Sequence, residues 1–233
     1  MNPTIRPEIF AKLAACDSSS IANAVDAAGV RLANEGFSDN RIKCMTGRLL
    51  PMVGQVVTLK VRSADPPMKK AFYLEHPDWW EILKVEAFPR VLAIEDVDAR
   101  PGRGSAVGPV HACILKALGF VGVITNGAIR GRSSLERIGL RAFAGNVAPA
   151  HAYSHVIATG VAVEIAGMRL SEGDLVHGDE SGVVVIPTAI AGQVAESAER
   201  FHEREKRVCE FCRSAEFSPS ALRAHIGVDE SRR

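Results

Sequence analysis

The chain has 233 residues, of which 47% are apolar and 24% are charged, and its formal net charge is +1. This length and composition are those of a globular protein with a sizeable core. The near-zero charge gives no electrostatic reason to expect a nucleic acid or an anionic membrane as a partner. No apolar run approaches the roughly 20 residues that span a bilayer.

The ends of the chain and its cysteines point to an intracellular protein. The opening MNPTIRPEIF has no signal-peptide core, so we expect a cytoplasmic location. Five scattered cysteines do not suggest a disulfide framework. Cys209 and Cys212 have the CxxC spacing, but without a second pair they give little support to a zinc or redox site.

Periodicity in the first hundred residues predicts two helices and two strands. Apolar residues at helical spacing predict helices over residues 5–15 and 21–28, with the serines at 18–20 as candidate N-caps of the second. Alternation predicts a strand over residues 53–62, and the β-branched run at 90–95 predicts a buried strand.

A glycine-rich loop, a helix and a strand occupy the centre of the chain. The loop at 102–108 leads into a predicted helix over 107–118, and a β-branched run predicts a buried strand at 120–125. The pair Asn126-Gly127 is a turn signal that places Arg130 just beyond a strand end, where open α/β sheets bind ligands. A helix start beside a guanidinium favours a small carboxylate, although a crossover with a surface arginine gives the same local pattern.

The last hundred residues predict a strand, β-hairpins and a long helix. The strand covers residues 140–144, and four short apolar segments between 161 and 186 predict antiparallel hairpins. Thr188 is the candidate cap of a helix from 189 to about 214, which covers either its own sheet or a neighbouring subunit. His151 and His155 have the spacing of one helical face, but no HExxH glutamate accompanies them.

Three segments give the chain a resemblance to a known family. The segments GVITNGAIRG at 122–131, GLRAFAGN at 139–146 and EGDLVHGDESGVVVIP at 172–187 resemble the RraA-like family. This family comprises the RNase E activity regulators and the 4-hydroxy-4-methyl-2-oxoglutarate aldolases, and was formerly labelled as demethylmenaquinone methyltransferases. The similarity extends from about Ser18 to Pro187, with the segments in the same order.

The resemblance implies a fold and an assembly. It implies an α/β fold of the layered α/β/β/α swivelling type, similar to phosphohistidine domains. Residues 1–187 would form one domain and residues 188–233 a C-terminal helical extension. It also implies a homotrimer or a dimer of trimers, with the substrate site at the boundary between subunits.

The resemblance also implies a chemistry. The aldolases of the family are class II lyases, in which Mg²⁺ or Mn²⁺ and an arginine stabilise the pyruvate enolate that forms when a C–C bond breaks. Aldol cleavage of 4-hydroxy-4-methyl-2-oxoglutarate-like substrates and decarboxylation of oxaloacetate both pass through this enolate. Carried over to this chain, the carboxylate-binding loop falls on Gly108, Pro109, Val110 and His111, and the arginine on Arg130.

Two positions depart from the family pattern. The metal-binding aspartate of the family falls on Gly131, and the acidic residue common in the carboxylate loop falls on Pro109. Hard cations need oxygen ligands, which neither residue supplies from its side chain. The substitute ligands that the sequence offers are Asp96, Asp98 and His111.

Two functions follow from these residues. The first is a lyase that acts on a 2-oxo acid and releases pyruvate. The alternative is a non-catalytic trimer that binds a protein, as the RNase E regulator does, or that binds a small carboxylate. Arg132 offers a second cation beside Arg130 for a dianionic substrate, and a solvated arginine explains it equally well.

Overall fold

The computed structural model describes residues 5–47, 49–67, 83 and 89–226. Nine strands of this part of the chain form the main sheet, and two more form a separate hairpin, β8 (Val163–Ile165) and β9 (Met168–Leu170). The strands of the main sheet are β1 (Lys43–Cys44), β2 (Met52–Arg62), β3 (Arg90–Asp96), β4 (Ser105–Val107), β5 (Phe120–Ile129), β6 (Arg141–Val147), β7 (His155–Thr159), β10 (Leu175–Asp179) and β11 (Gly182–Ile186).

The main sheet is mixed. Its order is β1-β6-β5-β3-β2-β10-β11, with β4 beside β5 and β7 beside β2. Its centre is a parallel group of four strands, β2, β3, β5 and β6. The antiparallel strands are β1, which pairs with β6; β7 and β10, which pair with β2; and β11, which pairs with β10. The carboxyl ends of β3, β5 and β6 therefore lie together at one edge.

Helices cover one face of this sheet. The helices are α1 (Pro7–Ala14), α2 (Ser18–Ala28), α3 (Pro109–Ala117), α4 (Arg132–Ile138), α5 (Ala191–Cys212) and α6 (Pro219–Ile226). Buried residues of α3 and α4 pack against β2, β3, β5 and β6, and the hairpin β8–β9 covers the opposite face. Because both faces are covered, the parallel strands are apolar along almost their whole length, as the sequence predicts.

The first half of α5 packs on its own chain. Its buried residues Val194, Ala195 and Ala198 lie in one apolar cluster with residues of α1, α2, β10 and β11. Cys209 and Cys212, near the end of α5, are free and exposed. The α/β class is confirmed, whereas the swivelling-type layering and the division at residue 187 stay predictions.

The turn predicted at Asn126-Gly127 is wrong, because β5 continues through these residues to Ile129. The Asn126 side chain replaces a peptide unit in the ladder: its amide donates to the Asp96 carbonyl at 2.9 Å, and its oxygen accepts from the Asp96 N–H at 2.7 Å. A register shift between Thr125 and Ala128 absorbs the irregularity as a bulge. Arg130 still follows the strand end directly.

Three local expectations also need correction. Asp17, not a serine, caps α2 by accepting the Ser20 N–H at 2.8 Å. Helix α3 begins only at Pro109, because Val107 pairs with β5 in strand β4. His151 and His155 share no helix, since the first lies in the connection after β6 and the second begins β7.

Within the described residues, no helix is both long and apolar enough to cross a membrane.

Substitution of Phe143 tests the core. Phe143 on β6 is fully buried in the cluster beneath the hairpin β8–β9, so Phe143→Ala should lower the free energy of unfolding by about 3–5 kcal/mol in urea titrations. The control is Ile157→Ala on β7, whose side chain is 46% exposed and should change stability by less than about 0.5 kcal/mol. Equal losses from both variants would contradict this layering.

Candidate functional site

The side chain of Arg130 lies across the start of α3. The Arg130 N–H donates to the Val107 carbonyl at 2.9 Å, which turns the chain back along β4. A Cβ atom at Gly108 would lie 2.8 Å from Arg130 Nε and 3.1 Å from its Cγ, so only glycine permits this approach. Arg130 Nε is buried and has no hydrogen-bond partner among the described residues.

The same place is the first turn of a helix. Gly108 is the N-cap residue of α3, and its carbonyl accepts the Ala112 N–H at 2.9 Å. Pro109 supplies no N–H, whereas the N–H groups of Val110 and His111 precede the first intrahelical bond. A guanidinium and a helix N-terminus thus converge, and both favour an anion.

Two histidine rings lie behind the helix start. His111 is buried, and its Nδ1 accepts the Gly108 N–H at 3.4 Å, so its proton resides on Nε2. Burial, with the nearby His151 and Arg130, lowers the pKa of His111 to about 3, so the ring is neutral at physiological pH. The His151 ring meets it edge to face, with centroids 5.9 Å apart.

His151 contacts a residue that its position in the sequence does not indicate. Its Nδ1 donates to the Ser105 carbonyl at 3.0 Å, and its buried Nε2 has no hydrogen-bond partner in the described part of the chain. The spacing to His155 suggested a shared helix, but the contact is with His111, 40 positions earlier. No local pattern signals a contact between a loop and a helix start so far apart in sequence.

Gly131 and Pro109 are in contact. Gly131 has φ +66°, and a Cβ atom there would lie 2.7 Å from Pro109 Cγ and 3.1 Å from its Cδ. Gly131 is also the N-cap residue of α4, where its carbonyl accepts the Leu135 N–H at 3.0 Å. The two departures from the family pattern therefore meet at one point beside Arg130.

The carboxylates of Asp96 and Asp98 hold loops. Asp96 accepts the Gly102 N–H at 2.8 Å and the Asp98 N–H at 3.1 Å, and burial raises its pKa. Asp98 accepts the N–H groups of Ser63 and Ala64, each at 2.7 Å. Burial opposes ionisation of Asp98, but these bonds outweigh it and lower its pKa.

These residues do not fit a divalent cation. Gly131 offers no side-chain oxygen, Asp96 and Asp98 are engaged by backbone N–H groups, and His111 Nδ1 accepts from Gly108. Among the residues that the structure describes, no group of three or more His, Cys, Asp or Glu is placed to hold a metal. Among these described residues the expected Mg²⁺ or Mn²⁺ therefore has no ligand set, although some members of the family use such an ion.

Two further polar residues are engaged elsewhere. Arg132 Nε donates to the Met45 carbonyl, which ties α4 to the segment after β1. Asp179 is buried and accepts the N–H groups of Ser18 at 2.7 Å and Ser181 at 2.8 Å, which holds α2 against the β10–β11 turn. These contacts place neither the Arg132 guanidinium nor the Asp179 carboxylate at Arg130.

Burial of His111 should make stability depend on pH. The unfolded chain binds a proton at His111 below about pH 6.5 and the folded chain does not, so the free energy of unfolding should fall as pH drops from 6.5 towards 5, by up to about 1.4 kcal/mol per pH unit. His177, whose pKa burial also lowers, adds to this slope. His111→Gln should reduce the slope in urea titrations, and His155→Gln is the matched control that also removes one imidazole. An unchanged slope in His111→Gln would contradict a neutral, buried ring.

A family model that covers most of the chain identifies its family, and three other proteins are similar to it. The RraA-like family, described as Aldolase/RraA, matches residues 21–185. An uncharacterised protein of Methanocaldococcus jannaschii is 24% identical over 174 residues, which cover 73% of this chain and 77% of that protein. A solved structure from Pseudomonas syringae pv. tomato is 19% identical with a TM-score of 0.74 and covers 96% of both chains. Streptomyces coelicolor RraAS2, an unusual member of the RNase ES inhibitor RraA family, is 20% identical with a TM-score of 0.69 and covers 88% of this chain and 98% of its own. The chain belongs to the RraA-like family.

Proposed function

We propose that this protein is a lyase that binds a small 2-oxo acid at the N-terminus of α3 and releases pyruvate from it. The observation that carries the proposal is the position of Arg130, whose side chain crosses Gly108 with a buried Nε that has no hydrogen-bond partner among the described residues. A buried donor without a partner is costly, and a carboxylate ligand would satisfy it.

Cleavage of a 2-oxo acid requires stabilisation of the negative charge that develops on its 2-oxo oxygen. The N-terminal turn of α3 would hold the substrate carboxylate, and the Arg130 guanidinium would lie against the 2-oxo oxygen. When the C3–C4 bond breaks, its electron pair moves into the C2–C3 bond and the 2-oxo oxygen becomes an enolate oxygen. CO₂ leaves from oxaloacetate, and a carbonyl compound leaves from an aldol substrate whose hydroxyl gives its proton to water. In both cases a proton from water then adds to C3 of the enolate, which yields pyruvate. Fixed donors at an oxygen that gains charge contribute about 100- to 1,000-fold in rate.

The alternative is a protein that binds a small carboxylate, or a protein partner, without catalysis. The contact between Gly131 and Pro109 favours it, because the position of the family's metal ligand carries no ligand. A carboxylate-binding protein would use the same site as the lyase, so binding of the acid does not separate these two functions. Turnover does.

We also propose that the protein is a cytoplasmic homotrimer or dimer of trimers whose subunits meet beside this site. Val110 on α3 is 63% exposed, and Val147, which pairs with Ile129 just before Arg130, is 47% exposed. Exposed apolar side chains on elements next to Arg130 are what a boundary between subunits would cover.

Replacement of Arg130 tests the proposed lyase. Arg130→Gln should lower the rate of pyruvate release from oxaloacetate and from 4-hydroxy-4-methyl-2-oxoglutarate by about 100-fold or more, because the enolate loses its cation. It should also weaken binding of oxalate, an enolate analogue, in calorimetric titrations. The control is Arg137→Gln, an exposed arginine that bonds to Ser134 on the surface of α4 and should change neither quantity.

Two results would overturn parts of this proposal. Oxalate binding by the unaltered protein without turnover of either acid would establish the alternative in place of the lyase. If Arg130→Gln binds oxalate as tightly as the unaltered protein does, the carboxylate site does not lie at Arg130 and both functions proposed for it fail.

A further inference from the structure

We propose that Pro109 and Gly131 form a coupled pair that closes the cation position, so that this site binds 2-oxo carboxylates without a divalent ion. The ligand class rests on the proposed function. The coupling of the two residues rests on their contact alone.

The obstacle to a side chain at 131 is a rigid ring. A Cβ atom there would lie 2.7 Å from Pro109 Cγ, which is closer than two non-bonded carbon atoms approach in proteins. Outside Pro109, the nearest atom to this Cβ would be Ser134 Cβ at 3.9 Å. The proline ring is bonded to its own backbone at the first residue of α3, so it cannot rotate away as a long side chain would. Aspartate tolerates positive φ better than most residues. The ring therefore excludes an aspartate more strongly than the backbone conformation does.

The charges around the site make a cation unnecessary. Arg130 and the N-terminus of α3 already supply positive potential, and the His111 ring is neutral. The acidic candidates from the sequence, Asp96 and Asp98, bond to backbone N–H groups of loops. A carboxylate ligand therefore meets donors and no competing carboxylate among these contacts.

A double-mutant cycle tests the coupling. It compares the unaltered protein with Gly131→Asp, Pro109→Ala and the combined variant, by thermal unfolding and by electron paramagnetic resonance of added Mn²⁺. Gly131→Asp alone should lower Tm and bind no Mn²⁺, because its side chain meets the proline ring. The combined variant should recover most of that loss and bind Mn²⁺, since alanine lacks the Cγ and Cδ atoms in contact.

A second glycine separates steric contact from backbone strain. Gly139 has φ +79°, and a Cβ atom there would meet nothing within 4 Å. Gly139→Asp thus carries the cost of positive φ without a clash, and Pro109→Ala should not rescue it. Additive effects on Tm of Gly131→Asp and Pro109→Ala, or equal rescue of Gly139→Asp, would overturn the coupling.

Ligand binding tests cation independence separately. Calorimetric titration of the unaltered protein with oxalate should give the same dissociation constant within about twofold in EDTA and in Mg²⁺, calculated from the oxalate that is not chelated by Mg²⁺ in solution. Stoichiometric Mn²⁺ binding by the unaltered protein, or loss of oxalate affinity in EDTA, would overturn this part. If none of the four proteins binds oxalate, the proposed function fails, and the Tm cycle still decides the coupling.

Discussion

The double hydrogen bond between the Asn126 side chain and the backbone of Asp96 is the interaction on which the site depends. It lets β5 pair with β3 at a point where the β5 backbone bulges, and the strand then continues to Ile129. Because β5 continues, β4 can pair with its last residues, and the Arg130 N–H reaches Val107. The start of α3 and the arginine are thereby fixed relative to one another by backbone bonds on both sides.

The same aspartate also shows how the acidic side chains that the sequence offers as ligands are engaged. The backbone of Asp96 holds Asn126, and its carboxylate holds the N–H of Gly102 at the entry of the glycine-rich loop. Asp98 in turn ties the segment after β2 through Ser63 and Ala64. Releasing either carboxylate would leave buried N–H groups without partners, a cost of about 1–3 kcal/mol for each group. The loops that shape the site thus depend on the groups that a cation would need.

Much of the fold could be predicted from the sequence because its parallel strands are covered on both faces. The β-branched runs of β3 and β5 reflect that burial directly, and helical spacing located α1, α2 and α3 to within a few residues. The Asn126-Gly127 pair led to the wrong prediction of a turn, because turns and β-bulges favour the same residue types. What separates the two is a bond to Asp96, 30 positions earlier, which no local pattern contains.

The sequence likewise predicts some features of the site and not others. Arg130 and the helix start at Gly108 could be placed from the order of the elements, since a loop, a helix and a strand in series bring a strand end near a helix start. The contact of His151 with His111 and that of Pro109 with Gly131 could not, because each joins residues through space. The family resemblance identified positions 109 and 131 as departures, but it gave no reason to treat them as one change.

That contact has a consequence for how such a site can evolve. A lineage with proline at 109 gains nothing from a single codon change that restores aspartate at 131, because the side chain arrives where the ring already lies. The proline must be lost first, and that first step brings no new ligand for selection to favour. If the two positions are coupled as we propose, the change from this site to a cation-binding one passes through an intermediate that has gained no ligand.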